Sequence, residues 1–498
     1  GDPVVLGYPI TLPLWAAVPT LVLAALGAKA FIFDPIIRRV LNRRERDLKA
    51  RLNTTLIRPL PAVLQVPRRV LMERLFNDAE VQAAIDLAAD TRGRDAAEKE
   101  ARTYVDEMMP SFFALFYFHV GYWLARRYLR SMYDIQIAQQ PPPGAYTDIP
   151  EDASIVLVGN HRSNMDVAVL SYLASRTSMV SFAAGEWAAV WPVNRIMHMS
   201  GSYIIRREAQ SRLYKKVLAR YIHMMIGAHM PQGIFLEGGL SRDGAIQPVK
   251  LGLMRYILAG LGKGGTRDIV FIPVAFNYDR VPEDLTLLAH QDHGFARKSK
   301  FYTLKSTIWH SFGVSARLLR ISRRRYGQAA VSFGPALSAR DWLAEHGGSV
   351  EALDDEQRKA IVAPIAESII GRISDIIPVL PVSLVATVIH ESGSDILQKT
   401  EIKQGVLRLL ERLRQRNVPM AIDELDGETT YRKGLDVLLS REVLIQDEGH
   451  LYRNPDKKAL LAYFARTIAH YFEDLSEENK ATAPLYSILT VSEPETPT

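Results

Sequence analysis

The chain contains no cysteine. That removes disulfides, a thiol nucleophile and thiolate metal sites from the chemistries open to it, and it fits a reducing compartment. There is no fixed-period repeat. The basic residues form no compact, aromatic-laced patch outside one N-terminal run, so a nucleic-acid partner is not expected. Gly260-Leu-Gly-Lys-Gly-Gly265 comes near a phosphate loop but lacks nucleotide-binding spacing, and reads as a turn. What remains is ordinary for a globular protein: 498 residues, 48% apolar and 23% charged, with room for two or three domains. The tail after Ser476 alone looks loose. The net charge of +6 suits anionic partners such as phospholipids or phosphorylated substrates.

Charge is also missing from Val4 to Ala28. Ile10 to Ala28 is about as long as a bilayer-spanning helix, roughly 20 residues, although Pro13 and Pro19 each remove an internal hydrogen bond. The flank that follows is basic (Lys29, Arg38, Arg39, Arg43, Arg44, Arg46, Lys49, Arg51), which predicts a cytoplasmic location for the bulk of the chain. The charge follows the apolar run instead of preceding it, so a secretory signal is not expected. A buried core hairpin is the competing reading. A second stretch, Ser111 to Met132, sets Phe112, Phe113, Phe116, Tyr117, Phe118, Tyr122 and Trp123 beside Arg126, Arg127 and Arg130. It suits a membrane headgroup region or a core helix with a basic end.

From 146 to 345, short apolar runs alternate with amphipathic ones. Ile155–Val158, Ile234–Leu236, Ile269–Ala275 and Ala330–Phe333 read as strands, and Met165–Ser175 and Ser211–His229 as helices. The expected class is α/β: a mixed, largely parallel sheet flanked by helices, with helical N- and C-terminal regions and an N-terminal membrane segment. The expected divisions are 1–33 membrane-associating, 34–145 helical, 146–345 α/β and 346–498 helical.

Chemistry concentrates at the carboxyl ends of the predicted strands, where such folds build sites. In Gly159-Asn-His-Arg-Ser-Asn-Met-Asp166, a histidine precedes an aspartate by five positions at a strand-to-helix turn. The carboxylate can hold one ring nitrogen while the other takes a proton from a hydroxyl. The spacing decides little by itself: with 12 histidines and aspartate at ~5%, chance gives roughly 0.6 such pairs. His390 and Asp395 repeat it, in a stretch read as a loop with a helix cap. Gly201-Ser-Tyr-Ile-Ile-Arg-Arg207 could deliver a guanidinium to a phosphate, or be a solvated helix start. Phe235-Leu-Glu-Gly-Gly-Leu-Ser-Arg242, with Lys250 beyond it, is more specific. Gly238 and Gly239 permit close backbone approach, Ser241 and Arg242 can bind phosphate oxygens, and Glu237 can accept from hydroxyls. Ile272-Pro-Val-Ala-Phe-Asn-Tyr278 is a buried strand, read as a wall for the substrate or acyl chain.

Taken in order, NHRSNMD, GSYIIRR, FLEGGLSR and IPVAFNY resemble the four blocks of the glycerolipid acyltransferases. The glycine pair resembles the glycerol-3-phosphate acyltransferase branch. Leu240 departs from it, standing where that family usually places a basic residue. The resemblance runs from about Leu56 to Leu475 and is strongest from Gly159 to Gly334. It implies that His161 deprotonates the sn-1 hydroxyl of glycerol 3-phosphate and that Asp166 orients the imidazole. Arg207, Arg242 and Lys250 would hold the phosphate, with Arg206 as a helper, while Glu237 and Ser241 position the glycerol. The donor would be a fatty acyl thioester, of coenzyme A or an acyl-carrier protein, attacked without an acyl-enzyme. No metal or cofactor is implied, and membrane phospholipids are expected partners. Dihydroxyacetone phosphate or lysophosphatidate as acceptor, or a silent membrane-tethered lipid-binding scaffold, are the alternatives.

Overall fold

The computed structural model describes residues 34–141, 148–175, 177–189, 191, 193–206, 211–262, 268–283, 326–394, 396–422 and 426–472. The apolar segment within 1–33, and Arg207, lie outside the described residues. Among the described residues no helix is long and apolar enough to cross a membrane.

The four apolar runs form the middle of an eight-stranded sheet. Its strands are β1 (Asp134–Gln139), β2 (Ala153–Gly159), β3 (Ser181–Ala184), β4 (Tyr203–Ile204), β5 (Gln232–Phe235), β6 (Asp268–Tyr278), β7 (Gln328–Phe333) and β8 (Leu337–Ser338). The order is β1-β7-β6-β2-β5-β3-β4, with β8 also on β6. Pairings are parallel except where β6 meets β7 and β8. The largely parallel sheet predicted from alternation is therefore present. β2 and β6 are buried at every position, which is why they read as continuous apolar runs. Pro273 would be out of place in a central ladder. It falls where the partner of β6 changes, between Phe271 on β8 and Val274 on β7.

Strand alternation sorts the core. Ile155 and Leu157 of β2, with Ile272, Val274 and Phe276 of β6, pack beneath helices Tyr122–Met132 and Met165–Ala174. Val156, Val158, Ile269, Phe271 and Ala275 face helices Arg212–Gly227 and Val362–Ser374. That second core continues without interruption into the carboxyl-terminal helices. Helix Pro381–Glu391 is buried from Pro381 to Ile389 and occupies the middle of that region.

Two expectations need correction. The region 34–145 is not wholly helical, because β1 lies within it and pairs in parallel with β7. Its alternation, Asp-Ile-Gln-Ile-Ala-Gln, is that of a half-exposed edge strand. The region after 346 also holds a three-stranded antiparallel sheet: Ile396–Leu397 and the hairpin of Leu444–Asp447 with His450–Arg453. Its turn residues, Glu448 and Gly449, both have positive φ (44° and 85°). Glutamate is an unusual choice for the first position, so the hairpin carries no strong sequence signal.

Asp279, fully buried at the end of β6, accepts from the Gln328 N–H at 2.7 Å. Burial pushes its carboxyl up to about 7. A raised acid binds its proton more tightly in the folded chain than in the unfolded one. Stability should therefore fall as pH rises between about 4 and 7, and level off above. Asp279→Asn keeps the acceptor and removes the charge. It should raise stability at pH 8 by on the order of 1–3 kcal/mol and change little at pH 4, as read from urea midpoints at both values.

Candidate active site

β2 delivers the turn that carries His161. Asn160, just beyond its end, folds its amide back onto β6: Nδ2 donates to the Phe276 carbonyl at 3.0 Å and Oδ1 accepts from the Phe276 N–H at 2.8 Å. Gly159 is closely packed: a Cβ there would lie 3.1 Å from the rings of both Phe235 and Phe276, tighter than most real contacts. His161 follows and stacks on Phe235, with ring centroids 4.1 Å apart and planes 13° off parallel.

His161 Nδ1 lies 2.9 Å from Asp166 Oδ2. Asp166 is wholly buried in the first turn of helix Met165–Ala174, where the helix dipole favours negative charge. The same Oδ2 accepts from the N–H groups of Arg162 (2.8 Å) and Ser163 (3.0 Å), and Oδ1 accepts from the Tyr278 hydroxyl at 2.7 Å. A carboxylate so placed can only accept, so the imidazole proton sits on Nδ1 and Nε2 carries the free lone pair. The His161 side chain keeps 13% of its surface exposed, so the ring is not sealed from solvent.

The glycine-pair turn is joined to His161 directly. The Ser241 N–H donates to the His161 carbonyl at 2.8 Å. Glu237 Oε1 accepts from the His161 N–H at 3.0 Å, and Oε2 from the Gln247 N–H at 3.2 Å. Burial pushes the Glu237 carboxyl up, opposed by the nearby Arg162 guanidinium. Arg162 is itself buried and donates from Nη1 to the carbonyls of Gly244 and Ala245. Gly238 has φ +66°, and a Cβ there would come within 2.6 Å of Lys250. Gly239 is half-buried beside it, and Arg242 and Lys250 are exposed at the rim.

Several predicted roles change. Glu237 is buried with both oxygens engaged by backbone N–H groups, so it builds the turn that was expected to use it on glycerol. Ser241 is also buried and donates to the Ala245 carbonyl at 2.7 Å, which makes it a loop brace and not a phosphate contact. Arg206 is not brought to His161. It pairs with Glu107, Nε to Oε2 at 2.9 Å, and lies 5.6 Å from the Tyr104 ring centroid. The pairing registers put Ile204 level with Gly159 but three strands away, roughly 14 Å at ~4.8 Å per strand. His390, in the last turn of helix Pro381–Glu391, has a helical setting unlike that of His161. Asp395 lies outside the described residues.

Tyr278, Glu283, Asn160, Phe235 and Arg162 are site residues that sequence reasoning missed. The first three are polar groups buried beside the pair, and their only sequence signal is position at the end of a predicted strand or just beyond it. Asp166→Asn should lower kcat by about 10²–10⁴-fold, because an amide can place its N–H toward the ring and favour the wrong tautomer. Steady-state kinetics should find KM for the acceptor changed by less than about threefold.

Comparison with known proteins bears on the same blocks. Residues 145–277 match the family model for Acyltransferase, and 311–476 that for the Glycerol-3-phosphate acyltransferase C-terminal region. Among similar proteins is the glycerol-3-phosphate acyltransferase of Aeromonas hydrophila, 28% identical over 423 residues, covering 81% of this chain and 50% of its own. That of Haemophilus influenzae is 25% identical over 427 residues, again 81% and 50%. That of Shewanella oneidensis is 27% identical over 332 residues, 64% and 39%. The chain thus spans about half the length of the curated relatives it matches. A solved 1-acyl-sn-glycerophosphate acyltransferase from Thermotoga maritima aligns with 61% of this chain and 97% of its own at 12% identity, with a TM-score of 0.28, too low to carry an argument. The chain is thus similar to glycerol-3-phosphate acyltransferases, with an Acyltransferase match over its central region and a Glycerol-3-phosphate acyltransferase C-terminal match beyond it.

Proposed function

We propose that this chain transfers a fatty acyl group from a thioester to the sn-1 hydroxyl of glycerol 3-phosphate. The observation that carries the reading is the junction of the His161–Asp166 pair with the glycine-pair turn through the 2.8 Å bond from Ser241 N–H to the His161 carbonyl. It puts the base and the rim cations Arg242 and Lys250 on adjoining loops at the carboxyl edge of one sheet.

In this mechanism Nε2 of His161 takes the hydroxyl proton as the oxygen attacks the thioester carbonyl. Asp166 steadies the imidazolium through Nδ1. The tetrahedral adduct expels the thiolate, which recovers the proton from Nε2, leaving acylated product and free thiol. Arg242 and Lys250 hold the phosphate, and Arg242 can do so bidentately. Coenzyme A and an acyl-carrier protein both supply a thioester of this kind.

The reading includes association with an anionic membrane from its cytoplasmic face, as the basic flank after Ala28 predicts. Exposed Val120, Trp123 and Leu124 form a stripe on the helical stretch that also exposes Arg126, Arg127 and Arg130. Glu45 joins the start of that stretch to the arginine-rich helix Asp34–Thr55 by accepting from the N–H groups of Ala114 (2.7 Å) and Leu115 (2.9 Å). Apolar rings beside arginines suit a headgroup interface.

The test is acyl transfer by purified protein with glycerol 3-phosphate and a labelled acyl thioester. Wild type should form lysophosphatidic acid. His161→Ala should lose at least about 10²-fold while melting at the same temperature, and persistent turnover in that variant would refute the assignment. Arg242→Ala should raise KM for glycerol 3-phosphate about tenfold or more with kcat little changed. His390→Ala should behave as wild type in both parameters.

A further inference from the structure

The turn that carries His161 spends six consecutive backbone N–H groups in an unusual way. His161 donates to Glu237, Arg162 and Ser163 to Asp166, Asn164 to Glu283 (3.2 Å), Met165 to the Ser163 hydroxyl (3.1 Å), and Asp166 to the Ser163 carbonyl (3.0 Å). Four of the six end on three buried carboxylates. Glu237 and Asp166 were expected in the site. Glu283 was not, and it takes two further donors, the Ser163 hydroxyl and the Asn164 amide, each at 2.9 Å. It stands five residues past Tyr278, whose hydroxyl occupies the Asp166 oxygen that His161 does not use. The bonds of Tyr278 run to Asp166, and those of Glu283 to the turn itself.

We infer that Tyr278 and Glu283, both supplied by the end of β6, are positioning residues for the His161 base: Tyr278 fixes the charge and orientation of Asp166, and Glu283 fixes the turn. This rests on His161 being the base of acyl transfer. A hydroxyl donor disperses the negative charge of Asp166 and so moderates its pull on the imidazole proton. Glu283 holds Ser163 and Asn164 by their side chains, so the N–H groups of Arg162 and Ser163 aimed at Oδ2 stay aimed there.

Among the described residues, the groups facing this cluster include His161, Arg162 and Glu237 from the loops, Tyr278 from β6, Tyr128 and Tyr133 from helix Tyr122–Met132 and the residue after it, and, behind those two tyrosines, Tyr326 with Arg280 over its ring. Burial holds Tyr278, Tyr128 and Tyr133 above their ordinary range, so they remain neutral donors through any practical assay. Burial also pushes the Glu283 carboxyl up. A glutamine at 283 cannot titrate, so the acid limb that survives in Glu283→Gln excludes Glu283 as its source.

The experiment measures kcat, KM for glycerol 3-phosphate and the pH profile of kcat/KM for wild type, Tyr278→Phe, Glu283→Gln and His161→Ala, with melting temperatures alongside. Tyr278→Phe should move the acid limb to higher pH, because an Asp166 that keeps more of its charge makes the imidazole a stronger base. Glu283→Gln should lower kcat about tenfold to hundredfold, the rate equivalent of one lost charged hydrogen bond, with KM within twofold. An unmoved limb in folded Tyr278→Phe together with wild-type kcat in Glu283→Gln overturns the inference, as does a rise in KM alone, which would make them substrate contacts. Should His161→Ala stay active, the reading of the base itself fails, whatever the other two variants do.

Discussion

Negative charge buried around one short turn is the constraint on which this site depends. Asp166, Glu237 and Glu283 are each removed from water around the turn that carries His161, and three like charges gathered on one turn would repel and resist burial. They are held by backbone N–H groups, hydroxyls, one amide and the Arg162 guanidinium, so nearly every polar group of the turn is committed to a carboxylate. The consequence is geometric. With its N–H groups spoken for, the turn has little freedom, and the imidazole is pinned between Asp166 and the face of Phe235 with one nitrogen left for chemistry. Preorganisation of this kind spares the reaction the cost of gathering its parts.

The carboxyl-terminal region shares in that constraint. Gly244 has φ +85°, and a Cβ there would lie 2.1 Å from the Tyr463 carbonyl, so the glycine-pair loop and helix Lys458–Arg466 touch backbone to side-chain position. Arg466 sits 3.8 Å from Asp243 on the same loop. Arg162 reaches that loop from the turn that carries His161. The core on the corresponding face of the sheet runs unbroken from Ile269 and Phe271 through Ile365 and Ile369 to Leu460 and Phe464. Residues beyond 346 therefore back the site mechanically, as a continuation of the same core.

The parts of the site that could be read in advance were local. A continuous apolar run ending in Gly-Asn-His, with an aspartate five positions on at a helix start, is one strand-to-turn-to-helix unit, and the structure has that unit there. The glycine pair was legible because Gly238 needs a positive φ beside Lys250. Glu237 and Ser241 were located correctly but given the wrong work: proximity to a phosphate loop suggested ligand contact, while burial turned them into braces. Arg206 stands next to Arg207 in the chain, yet its partner Glu107 is 99 residues upstream. Tyr278 meets Asp166 across 112 residues and Glu283 meets Asn164 across 119, distances over which no periodicity or motif carries information.

The sequence alone set the α/β class and the central strands through apolar patterning, and it singled out the His161–Asp166 pair over His390 and Asp395 through the ordered blocks that follow it. Tertiary structure decided which face each strand presents and how the strands align. The register Gly159 to Val274 puts Tyr278 four residues past the end of β2, level with the turn that carries His161. A slip of one residue would turn it to the opposite face, since side chains alternate along a strand. Register is fixed by the summed packing of both sheet faces, a property of the whole core that no single segment encodes.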